Sequence, residues 1–275
     1  MSIWEGVVLG IVQGLTELLP VSSSAHLVIV QSFIKGFHQP GVLFDVILHL
    51  GTLFAVIFFF RKDILDITKA LIPGKWLPVS FRRDDSRRIA MRRKMALLII
   101  IGTLPAGIAG LLFKDAIHGL FESVGVAAAM LLITGVLLFL SDQVKNADRQ
   151  EDEMNITDGI VIGMAQAVAL IPGISRSGST IAFGIFRRLD RETAARFSFL
   201  LSIPAITGAA VLESRYLTSI PASDLPAYGI GFLMAAITGF MSLKFLFLII
   251  KKKGLKMFAY YCWFVGCITL ILQAS

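Results

Sequence analysis

Charge is scarce in this chain of 275 residues: Lys, Arg, Asp and Glu together fill 16% of positions. A soluble domain draws roughly a quarter of its residues from those four types, so an ordinary water-soluble enzyme or binding module is excluded. Cysteine is almost missing, with two residues, and a disulfide framework is excluded with it. Cys262 and Cys267 both lie in the last apolar stretch, five positions apart, so they project to different helix faces and read as packing residues. No basic run precedes the first apolar stretch and no small-residue cleavage site follows it, so removal of a signal peptide is not expected.

What fills the chain is apolar: 56% of positions, with a mean hydropathy of +0.78. The solvent implied is lipid. A membrane-crossing helix needs roughly 20 mostly apolar residues, and residues 44–60, 95–113, 124–140, 194–212, 229–250 and 257–272 meet that need. Pro204 is tolerable inside its span, because neighbouring helices can satisfy the freed backbone groups. The net charge of +7 does not imply a nucleic-acid partner, since the basic residues fall between spans, where the positive-inside rule expects them. The longest such loop runs from Arg61 to Lys94 and is placed in the cytoplasm. Pro73, Trp76 and Pro78 within it suggest a segment lying on anionic headgroups.

Sliding the sequence against itself by 153 positions, the separation of Gln13 and Gln166, reveals an internal repeat. Gly6 meets Gly159, Gly10 meets Gly163, Ser22 meets Ser175, Ser24 meets Ser177, Phe44 meets Phe197 and Leu48 meets Leu201. Each half opens with a short apolar segment broken at Pro20 and Val21, or at Pro172 and Gly173, and then resumed. Paired interruptions of this kind point to discontinuous helices meeting near the membrane midplane with a site between them. The expected fold is therefore an all-α polytopic membrane protein, one integral domain over 1–275. It comprises two inverted-topology repeats, about 1–150 and 151–275, each a re-entrant helix hairpin plus three transmembrane helices. Charge agrees: the second hairpin exits into Arg187, Arg188, Arg191 and Arg196, the first into Lys35 alone, and Lys251, Lys252 and Lys253 follow the fifth span. The net acidic loop 142–155 fits this arrangement poorly, although acidic residues carry little topological weight.

Polar groups at membrane depth concentrate at the two breaks. The first carries Gln13, Glu17, Ser22, Ser23, Ser24 and His26. Gln13 and Glu17 are four apart and share one helix face. A carboxylate inside a membrane protein is costly and marks a functional site, with a locking salt bridge as the competing reading. The serines suit helix capping as well as chemistry, and His26, one turn beyond Ser22, suits a general acid or a nucleophile. The second break places Ser175, Arg176, Ser177, Gly178, Ser179 and Thr180 after Pro172 and Gly173. A glycine-containing turn opening a helix aims N–H groups at an anion, and a guanidinium adds a fork matched to phosphate oxygens. If the breaks meet, a carboxylate suited to Mg²⁺ or Ca²⁺, a hydroxyl, an imidazole and an arginine share one site. Those are the parts for phosphoryl hydrolysis.

The runs Gln13-Gly14-Leu15-Thr16-Glu17, Leu19-Pro20-Val21-Ser22-Ser23 to His26, and Pro172 to Thr180 resemble the signatures of the undecaprenyl-diphosphate phosphatase, or bacitracin-resistance protein, family. The resemblance extends over nearly the whole chain. It implies hydrolysis of a C55 isoprenyl diphosphate to the monophosphate carrier of peptidoglycan and envelope polymer synthesis, at an outward-facing, divalent-cation-dependent site in the bacterial plasma (inner) membrane. By motif position it implies catalytic roles for Glu17, Ser23, His26 and Arg176, a metal-associated pair in Gln13 and Glu17, and phosphate contacts from Ser22, Ser175, Arg176, Ser177 and Thr180. Gln13 stands where many members carry Glu, and Ser24-Ala25 where Thr-Gly is frequent. The nucleophile, Ser23 or His26, stays open, as do the roles of Asp45 and His49 and whether the chain forms a homodimer. Broken-helix repeats are also a transporter architecture, so a polyprenyl-phosphate flippase is the alternative.

Overall fold

A computed structural model describes residues 1–34, 42–72, 86–121, 123–214, 220–251 and 254–274. Among the described residues the chain is helical throughout, with no strand and a lone bridge between Arg149 and Leu189. Lys35, Lys252, Lys253 and the segment holding Pro73, Trp76 and Pro78 lie outside the described residues.

Two short helices open the chain, α1 (Ile3–Leu18) and α2 (Ser23–Phe33), packed side by side. A capping box at Ser2 and Glu5 starts α1, and Ser22 caps α2. Then come α3 (Val42–Phe59), α4 (Arg61–Leu71), α5 (Ser86–Leu112), α6 (Lys114–Leu120) and α7 (Val124–Ser141). A second short pair follows, α8 (Ile156–Val168) and α9 (Arg176–Phe186), started by Asn155 and Ser175 as caps. The remainder is α10 (Arg191–Glu213), α11 (Leu225–Ile250) and α12 (Lys256–Ala274).

Helices α5, α7, α10, α11 and α12 are long and apolar enough to cross a membrane, and α3 with α4 makes a sixth if that bent pair is one span. This is a multi-pass membrane protein. The 76° bend turns α4 away from α3 where the apolar run meets Arg61. Large side chains on the outside, such as Leu104, Met241 and Phe264, suit a lipid solvent. Cys262 is buried, but Cys267 is exposed, so only the first of the two cysteines packs inside the bundle.

The aligned positions of the two halves behave alike. In α1, Gly6, Gly10 and Gly14 form a stripe that lets the helix backbone approach α11 at Ala227, Gly231 and Ala235. In α8, Gly159 and Gly163 do the same against α5, where a Cβ on Gly163 would stand 2.7 Å from the Gly102 Cα. Phe44, Leu48, Phe197 and Leu201 are all fully buried, and α3 packs on α10. Ser22 and Ser175 are both caps, each with its Oγ beside the Oγ two residues on, at 3.1 Å to Ser24 and 3.3 Å to Ser177.

Ion pairs gather where the basic residues collect. Arg196 grips Asp63 with 2.9 Å contacts to both oxygens, and Arg92 joins Glu151 at 2.8 Å. Arg191 meets Asp142 at 2.6 Å and Arg87 meets Asp152 at 3.3 Å. Asp158, fully buried, is held by Arg149 and Arg187 at 2.7 and 2.8 Å. The acidic loop 142–155 thus lies against arginines of α5 and α10. Asp142, Glu151 and Asp152 in it are counter-ions to Arg191, Arg92 and Arg87.

Candidate active site

The breaks after α1 and α8 meet. Ser177 at the start of α9 donates from Oγ toward the carbonyls of Glu17 and Leu19, each at 3.2 Å, and the Gly173 amide donates to Ser24 Oγ at 3.3 Å. Thr134 of α7 clamps the second break, accepting from the Ser175 amide at 3.0 Å and donating to the Gly173 carbonyl at 2.9 Å. Gly173 has φ +97°, a left-handed conformation costly for any side chain, and a Cβ there would run into the Ala127 carbonyl. Ser22 is held at φ 64° without being glycine. Such strain persists only where the surroundings over-determine the backbone, and it clusters at functional sites.

Glu17 ends α1 nearly buried, with four partners. Arg176 Nη2 lies 2.5 Å from Oε1, while Ser23 Oγ donates to Oε2. Gln13 Nε2 donates to Oε2 at 3.3 Å, and His49 Nε2 approaches the same oxygen at 3.4 Å. The two breaks, 159 residues apart at Glu17 and Arg176, therefore share one charge-paired cluster. Arg176 keeps Nη1 buried and without a protein partner. A guanidinium with one arm on a carboxylate and the other unfilled is suited to an incoming oxyanion.

His26 stands on α2 with Nδ1 2.7 Å from the Ser22 carbonyl and Nε2 2.9 Å from the Tyr261 hydroxyl. Ser175 caps α9 by accepting from the Gly178 amide at 3.0 Å. Thr180 turns away from the cluster: its hydroxyl bonds the Arg176 carbonyl at 2.8 Å and Ser198 Oγ at 2.5 Å. Gln13, Glu17, Ser23 and Arg176 are thus brought together, with Ser22, Ser175 and Ser177 holding the breaks and His26 to one side. His49, four positions from Asp45, turns its Nε2 to Glu17, while Asp45 accepts from Gln31 at 3.3 Å. Tyr261, Thr134 and Ser198 are partners that sequence reasoning missed; each lies in a long apolar helix, and nothing in the sequence says what it faces.

A divalent cation can be tested against these groups. Among the described residues no three of His, Cys, Asp and Glu gather as metal ligands. Gln13 Oε1, however, is buried without a partner beside Glu17. One amide oxygen and one carboxylate suit Mg²⁺, which commonly binds through one or two carboxylates plus substrate phosphates and water. The residues fit the ion on those terms.

Comparison with known proteins reaches the same region of sequence space. The family model described as bacitracin resistance protein BacA matches residues 6–268. A protein of Syntrophotalea carbinolica named undecaprenyl-diphosphatase is 42% identical over 266 residues, 97% of each chain. Proteins of the same name from Halothermothrix orenii and Methanobrevibacter smithii are each 40% identical, covering 99% and 98% of this chain and 98% of their own.

Proposed function

The chain belongs to the bacitracin resistance protein BacA family, and from that premise we propose that it hydrolyses undecaprenyl diphosphate to undecaprenyl phosphate and inorganic phosphate. One observation carries the reading: Arg176 and Ser23, from separate hairpins, both contact the buried Glu17 carboxylate. A hydroxyl on a carboxylate, beside a guanidinium with an unfilled arm, is a nucleophile, a base and a phosphate clamp in one place.

The resting ion pair occupies Glu17 until a diphosphate competes for the guanidinium. As Arg176 turns to the terminal phosphate, Glu17 Oε2 takes the Ser23 Oγ proton and Oγ attacks the terminal phosphorus. The Oγ–P bond forms and the bond from phosphorus to the bridging oxygen breaks, its electron pair leaving with the lipid monophosphate. Water then attacks the phosphoserine while His26 accepts its proton. The Oγ–P bond breaks, Glu17 returns its proton to Oγ, and inorganic phosphate departs. Gln13 and Glu17 would hold a divalent cation, which when bound neutralises phosphate oxygens.

The paired caps, glycine stripes and buried Phe and Leu positions support reading the two halves as inverted repeats, each with a re-entrant hairpin. By the positive-inside rule the arginine-rich end faces the cytoplasm of a bacterial inner membrane and the α1–α2 hairpin enters from outside, where the enzyme would recycle the carrier for peptidoglycan synthesis. The same likeness of halves favours one other reading, a polyprenyl-phosphate flippase.

The test is acid quenching of purified protein during turnover of C55 diphosphate, with lipid products resolved and the Ser23 peptide weighed. Equal yields of monophosphate lipid and phosphate, with phosphorylated Ser23, are expected. Unchanged diphosphate favours the flippase, and a Ser23→Ala variant of wild-type rate removes Ser23 from the chemistry.

A further inference from the structure

His26 is held by two partners of different kinds, and their chemistry fixes its protonation pattern. The Ser22 carbonyl, 2.7 Å from Nδ1, can only accept, so in the neutral ring Nδ1 carries the hydrogen. Nε2 is then a lone pair, and the group 2.9 Å away is the Tyr261 hydroxyl, which donates into it. The two rings stack, with centroids 5.6 Å apart and planes 5° from parallel. The contact joins residues 235 positions apart, so no local feature of α2 creates it.

Tyr261 is itself held in place. Its neighbour Cys262 is buried with Sγ 4.0 Å from the Pro20 carbonyl, which ties this turn of α12 to the first break. Two residues on, Trp263 Nε1 donates to the Leu132 carbonyl at 3.1 Å and locks α12 against α7. His26 is 8% exposed, whereas Tyr261 is 42% exposed.

We propose that Tyr261 is the positioning residue of His26: its ring stacks on the imidazole and its hydroxyl keeps the Nδ1–H tautomer, leaving Nε2 as the proton-accepting atom. The inference rests on the phosphatase reading for its kinetic consequence, but its structural content does not.

The test joins two measurements on the full-length, detergent-purified protein. Steady-state phosphate release from C55 diphosphate is compared for wild type, Tyr261→Phe, which keeps the ring, and Tyr261→Leu, which does not. The Phe variant should lose about tenfold in kcat, the scale of one hydrogen bond, with KM within about twofold, and the Leu variant should lose more. Nitrogen NMR of histidine-labelled protein, in which His26 is one of four histidines, is assigned with His26→Asn. The wild type should show the Nδ1–H tautomer, and Tyr261→Phe should move the Nε2 resonance. An Nε2–H tautomer, an unmoved Nε2 resonance, or a Phe variant with wild-type kcat would overturn the proposal. The NMR needs no substrate, so a wild type that releases no phosphate would sink the phosphatase reading and leave the positioning claim decided by the spectra. If Tyr261→Phe fails to fold, the wild-type Nε2 resonance decides it: a hydrogen-bonded lone pair is expected, and an unbonded one would overturn the proposal.

Discussion

Replacing Glu17 by Gln and Arg176 by Gln, singly and together, separates a buried ion pair from two independent polar residues. The side chains are 7% and 15% exposed and meet at 2.5 Å. Removing one partner of a buried pair strands the other charge and costs about 3–5 kcal/mol. The two single variants should differ. Arg176 already has Nη1 unpartnered, so loss of Glu17 leaves it with little. Glu17, by contrast, keeps Ser23, Gln13 and His49 when Arg176 is gone. Glu17→Gln should therefore fall at the upper end of that range and Arg176→Gln at the lower. The double variant carries no stranded charge and should return to within about 2 kcal/mol of wild type. At roughly 2–4 °C per kcal/mol for a chain of this size, the single variants should melt well below both wild type and double variant. The assay is loss of the monodisperse peak on heating in detergent, followed by tryptophan fluorescence. Single variants that melt with wild type, or a double variant as unstable as the sum of the two, would refute the reasoning.

Gly173→Ala should lower the melting temperature and the turnover together, because φ +97° and the Ala127 carbonyl leave no room for a methyl group; the strain is worth about 1–3 kcal/mol. A Gly173→Ala protein as stable and active as wild type would show that the second break tolerates repositioning. Chelation of divalent cations should abolish phosphate release and Mg²⁺ or Ca²⁺ should restore it, with Gln13→Ala requiring more cation for half-restoration. Equal cation demand in Gln13→Ala and wild type would remove Gln13 from the metal site. On the arginine-rich end, Arg196→Ala should destabilise the fold without changing KM, since Asp63 loses a two-oxygen partner and Arg196 makes no contact with Glu17 or its partners. A changed KM with intact stability would contradict that assignment.

Much of this was legible because membrane helices write their boundaries in plain terms. The apolar runs mark the long helices, and Pro20 and Pro172 mark the breaks that the structure places at residues 19–22 and 169–175. Gln13 and Glu17, four apart, do share a face, and their 3.3 Å hydrogen bond follows from helical periodicity. What sequence could not supply is the identity of partners across the bundle. Thr134, His49 and Tyr261 sit in apolar helices, and nothing near them in sequence says which helix they face. The serines of the second break show the same limit: their residue type suits a phosphate loop, but sequence does not reveal that Ser175 also caps α9 and that Ser177 also bonds the first break. The acidic loop 142–155 likewise gives no sign in sequence that Asp142 and Glu151 pair with arginines distant along the chain.

The most direct measurement is phosphate release from a C55 diphosphate by the detergent-purified protein, with and without Mg²⁺ or Ca²⁺, beside Glu17→Ala and Arg176→Ala variants that remain monodisperse. Metal-dependent release by wild type, lost in both variants, is the predicted result, since each variant removes the contribution of a different hairpin. Absence of release from well-folded wild type, or full activity in either variant, would contradict a phosphatase site built where the two breaks meet.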